Sequence, residues 1–134
     1  MHSMRLVWVM DQRINPFATR ATLTLLALLG GCDWPTYNSA KLKAIKVEAD
    51  TLVANHPIKP PNHWADVPKQ QWPPAIANLQ PEFVTVHQWG VDITTKPYFD
   101  GGWGYQVAKN KRDLPMPEGC YWEMYQNVFW HGPC

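Results

Sequence analysis

The stretch that most constrains this chain is Ala21–Leu29 (ATLTLLALL), an apolar run that halts at Gly30-Gly31-Cys32 and is not matched again downstream. It is too short to span a bilayer, which takes about 20 apolar residues. Arg13 and Arg20 lie before it and two glycines follow it. Basic start, apolar core of about 7–15 residues and small-residue exit are the parts of a secretory signal. A buried core helix is the alternative, but Gly30-Gly31 would break such a helix at its end. The expectation is a leader over 1–31 and a single domain over 32–134. Upstream, MHSMRLVWVM forms a second apolar patch, and Asp11 sits inside the basic region, so Met1, Met4 and Met10 stay open as starts.

Leu29-Gly30-Gly31-Cys32 also resembles the lipobox of bacterial lipoproteins, an aliphatic and two small residues before a cysteine. The resemblance implies that the Cys32 thiol receives a diacylglycerol and that the leader is cut before it. Further acylation, palmitate included, would fall on the new amino group. Two or three acyl chains satisfy the requirement of stable anchoring for more than one chain. Asp33 resembles the retention signal that keeps such lipoproteins in the inner membrane. The implied location is the periplasmic face of that membrane.

Without residues 1–31 the chain keeps 9 basic and 10 acidic residues. A net charge of −1 gives no electrostatic case for nucleic acid or acidic lipid, which call for a basic stripe. The compositional signature is aromatic and proline-rich instead, with 8 Trp and 13 Pro in the whole chain. Tryptophans bring large apolar area to a domain too small to bury much surface otherwise.

Leu42, Ile45, Ala49, Leu52 and Val53 recur at helical spacing and predict a helix over 39–55, capped by Asn38 or Ser39 and stopped by His56-Pro57. Its apolar stripe suits a sheet better than lipid. Residues 57–74 hold six prolines and read as an irregular connection packed by Trp64 and Trp72. Pro73-Pro74 can open a short helix that turns Ile76 and Leu79 inward. Alternation predicts a hairpin over 83–95, a strand at Trp103–Val107 entered through Gly101-Gly102, and a second hairpin of 121–125 with 128–131. Residues 109–119 (KNKRDLPMPEG) read as an exposed loop. The expected fold is α+β, one main helix on an antiparallel sheet of about four or five strands. The run WPPAIANLQP at 72–81, with VTV and GVDI after it, resembles segments of small bacterial proteins that carry no assigned activity, and it implies none.

Once lipid occupies Cys32, Cys120 and Cys134 remain as an even pair in an oxidising compartment, which favours a disulfide over two free thiols. Closing a loop of about 15 residues stabilises by about 3 kcal/mol. His56, His63, His87 and His131 show no metal-ligand spacing, so no metal or other cofactor is expected. His87 and His131 are expected as exposed strand residues. The mature chain's one serine, Ser39, fits a helix cap and no nucleophile elbow surrounds it. Asp92, Asp100, Glu118 and Glu123 could supply a carboxylate pair, though no spacing fixes two of them together.

Three functional readings follow, in this order. The first is a non-catalytic envelope domain that binds a protein, an immunity-type partner among the options. The second is a glycan-binding module that stacks sugars on Trp89, Trp103, Trp122 and Trp130. The third is a small hydrolase using Asp and Glu.

Overall fold

The computed structural model describes residues 34–99 and 101–134. Residues 1–31, where the leader is expected, and Cys32, Asp33 and Asp100 lie outside the described residues. Helix α1 runs Ser39–Asn55. Of the two cap candidates, Asn38 is the one that acts: its side chain accepts from the Lys41 N–H at 3.1 Å. At the other end the His56 N–H bonds the Leu52 carbonyl, and the ring's Nε2 lies 2.6 Å from Gln71 Oε1. Leu42, Ile45, Ala49 and Leu52 are buried, while Val53, the last of the expected stripe, stays partly exposed.

The sheet has six antiparallel strands in the order β1-β2-β3-β4-β6-β5. They are β1 Trp64–Asp66, β2 Phe83–His87, β3 Gly90–Lys96, β4 Trp103–Ala108, β5 Tyr121–Tyr125 and β6 Val128–His131. The strand beyond the expected number is β1, three residues inside the proline-rich connection, paired with His87–Thr85 of β2. Prolines 60, 61 and 68 stand outside it, so its three N–H groups stay available to the ladder. A strand this short between prolines also blunts the sheet edge. The opposite edge, β5, is irregular between Glu123 and Tyr125.

Alternation sends one set of side chains from each strand toward α1. Val84, Val86, Val91, Ile93, Tyr105, Val107, Val128 and Trp130 form one apolar core with the helix stripe. Burying each such side chain is worth about 1.5–3 kcal/mol. The short helix α2 (Pro74–Ala77) closes the core with Ile76. Both Glu48 carboxylate oxygens accept α2 backbone N–H groups, Ala75 and Ile76, each at 2.9 Å. Nothing in the local pattern around either helix announces that contact.

Most of residues 109–119 are exposed, as the sequence suggests, with Leu114 the buried exception. Two 3₁₀ turns, Lys111–Asp113 and Glu118–Cys120, fold the segment so that Leu114 and Cys120 are buried with Ala108, Tyr121 and Phe129 in a second apolar cluster. Cys120 and Cys134 form a disulfide with a Cα–Cα distance of 5.9 Å, which ties the last residue to the start of β5.

Candidate functional site

The second sheet face, turned away from α1, carries the polar chemistry. Register aligns Asp66, Thr85, Asp92, Gln106, Phe129 and Glu123 in one row across all six strands. The adjacent row is Phe83, Thr94, Gly104, His131 and Tyr121. Asp92 lies at the centre: Oδ1 accepts from Gln106 Nε2 at 3.1 Å and Oδ2 from Thr94 Oγ1 at 3.2 Å. The Tyr121 hydroxyl donates to Gln106 Oε1 at 2.8 Å and accepts the Met116 N–H at 3.2 Å. Burial raises the Tyr121 phenol above its ordinary range; the Met116 bond works against that rise and the Asp92 charge adds to it. The phenol therefore remains a neutral donor, as the bond to Gln106 requires.

His131 overturns an expectation. It is 2% exposed rather than an exposed strand residue. Phe129 and His131 alternate onto the face that the 109–120 segment covers, and the ring stands edge-on to Tyr121 at 5.9 Å. Gly104 has no side chain between His131 and Thr94, so the imidazole reaches across β4 to within 3.8 Å of Asp92 Oδ1. That exceeds hydrogen-bond distance, and neither ring nitrogen has a hydrogen-bond partner among the described residues. The sequence signal is the alternation together with the glycine across the ladder; the Tyr121 ring against the imidazole comes from the neighbouring strand.

The 109–120 segment covers only the β4–β6–β5 half of this face. Over β1 and β2 the described residues leave large side chains exposed. Trp64 and Phe83 are 55% and 56% exposed there, with Asp66, Thr85 and His87 between and beside them. Thr85 Oγ1 donates to Asp66 Oδ1 at 3.3 Å. The His87 ring stacks on Trp89, centroids 4.9 Å apart and planes 9° apart. Burial lowers His87 from its ordinary value, and the Asp92 and Asp66 carboxylates partly oppose this. A cleft of about 530 Å³ lies at the same end of the sheet, between the C-terminal half of α1 and the β2–β3 turn, with Trp89, Lys46 and Lys109 among its walls.

The four strand tryptophans do not share a surface. Trp130 is buried against Tyr105, ring centroids 4.9 Å apart. Trp89 is engaged by His87, and Trp103 packs edge-on to Tyr98 at the far end of the sheet. Trp122 is exposed, but on edge strand β5 and on the face of its ladder neighbour Trp130. The named carboxylates are likewise apart: β4 and β6 intervene between Asp92 and Glu123, and Glu118 pairs with Lys111 at 3.5 Å. Among the described residues no group of three His, Cys, Asp or Glu is placed to hold a metal ion. No helix among them is long and apolar enough to cross a membrane. No family model, curated protein or solved structure matches the chain.

Proposed function

We propose that the chain is an envelope lipoprotein, tethered through Cys32 to the periplasmic face of the inner membrane, whose domain binds a partner protein and catalyses no reaction. The observation that carries this reading is the open half of the second sheet face. Two large rings, Trp64 and Phe83, each more than half exposed, flank hydrogen-bonding groups on strands whose reverse side is fixed by α1. Aromatic anchors supply most of the energy of a protein interface, and polar neighbours set its register. A sugar-stacking platform on the four strand tryptophans has less support, because their rings lie in different places.

A photoreactive amino acid in place of Phe83, in living cells, tests the reading, with the same group at Val47 on α1 as control. The expected result is a discrete protein adduct from position 83 that disappears with Trp64→Ser. Adducts to cell-wall glycan would replace the protein partner by a sugar. No adduct from position 83, or equal adducts from both positions, would overturn the assignment of this face.

A further inference from the structure

Four large, exposed aromatics lie on two segments, one of which follows Cys32 closely in sequence. Trp34 and Tyr37 precede α1 and are 77% and 78% exposed; Tyr98 and Phe99, in the β3–β4 connection, are 60% and 98% exposed. The fold brings these two segments to the same end of the sheet. The C-terminal half of α1 lies against the β2–β3 turn at Gln88 to Gly90, so its N-terminus lies toward the other end, where residues 97–102 join β3 to β4. The Thr36 N–H bonds the Tyr105 hydroxyl at 2.7 Å, and Tyr37 is close enough to contribute to the raised pKa of that phenol. Two residues earlier on β4, Trp103 meets the Tyr98 ring at 5.6 Å and lies under the Lys96 ammonium at 5.3 Å.

We propose that this end is a bilayer-docking rim, with Trp34, Tyr37, Tyr98 and Phe99 seated in the headgroup region beside the lipid anchor. The proposal rests on lipidation of Cys32. Thr36 stands four positions after Cys32, a reach of at most about 14 Å. The headgroup layer is itself about 5–7 Å deep on each side. A domain held that close to acyl chains meets the membrane with whatever its near end presents. Here it presents Trp and Tyr, the residues that concentrate at membrane–water interfaces. A phenylalanine left 98% in water at the tip of a short connection gains apolar contact by entering that layer. The mature net charge of −1 supplies no general attraction to acidic lipid, so the rim acts through apolar insertion added to the anchor.

The test uses the full chain, processed in bacteria, purified from membranes and reconstituted in phosphatidylethanolamine–phosphatidylglycerol vesicles with brominated acyl chains. Phe99→Trp adds a fluorophore at the rim. Gln126→Trp adds one at the β5–β6 turn, at the opposite end of the sheet. Brominated lipid should quench most of the emission that Phe99→Trp adds and leave that of Gln126→Trp unchanged. Equal insensitivity of both, with lipid found on Cys32 by mass spectrometry, would overturn the rim and leave the anchor standing. Absence of lipid on Cys32 in the same sample would overturn both.

Discussion

On the face under α1 the strands contribute valine, isoleucine and aromatic side chains to one closed apolar core, with the Tyr105 hydroxyl at its rim bonded to Thr36. On the reverse face the same strands contribute Asp92, Thr94 and Gln106, joined by directional bonds, with His131 beside them and one half roofed over. The first arrangement is non-directional and tolerates little loss of volume. The second holds side chains in fixed positions at a boundary with water, and carries a histidine whose nitrogens have no hydrogen-bond partner among the described residues. One sheet thus has a side that makes the fold and a side that displays chemistry.

The sharpest break of this contrast is a pair of truncations on β2 and β3. Ile93→Ala, in the helix-side core, should cost about 2–5 kcal/mol in urea unfolding, because the cavity it leaves cannot collapse. Thr85→Ala, on the open half of the other face, should stay within about 0.5 kcal/mol. Comparable losses at both positions would mean that the open face is structural after all. The disulfide is the next largest effect. It closes a separation of 14 residues and pins the chain end beside the 109–120 cover. The Cys120→Ser, Cys134→Ser double variant should lose about 3 kcal/mol. Hydrogen exchange should place the loss mainly in β5, β6 and the cover, and leave β2 and β3 protected.

The smallest effect is electrostatic. Burial holds the His87 pKa below its ordinary value, so as pH falls below about 6.5 the unfolded chain takes up the proton before the fold does. The contribution is complete above that pH and is lost as the pH drops toward the lowered folded value. Urea midpoints compared at about pH 7.5 and pH 5 should therefore fall less for His87→Gln than for the parent chain. An equal fall in both would show that the stacked ring titrates as if free in water.

Periodic elements were legible because each carries its own signal. The α1 stripe, the two hairpins, the strand after Gly101-Gly102 and the proline-opened turn at 73–77 all follow from residues close in sequence. What escaped depends on contacts between distant segments. Strand β1 has three residues and little alternation to read, and becomes a strand only because β2 offers it a ladder. The contacts of Glu48 to Ala75 and Ile76 join residues 27 and 28 positions apart. His131 escapes for the same reason: the Tyr121 ring and the Asp92 carboxylate, which lie against it, come from two other strands. Of the open face, the alternation placing Thr85 and His87 together was visible, whereas the pairing that adds Trp64 was not.

The proposed export to the oxidising side of a membrane joins the disulfide, the docking rim and the envelope partner, so the chemical state of Cys32 is the central claim. Mass spectrometry of the N-terminal peptide, taken from bacterial membranes expressing the full chain, reads it directly. The account predicts a chain beginning at Cys32 and carrying a thioether-linked diacylglycerol, lost in Cys32→Ser together with membrane retention. An uncut leader, or a free Cys32 thiol on a membrane-bound chain, would contradict it.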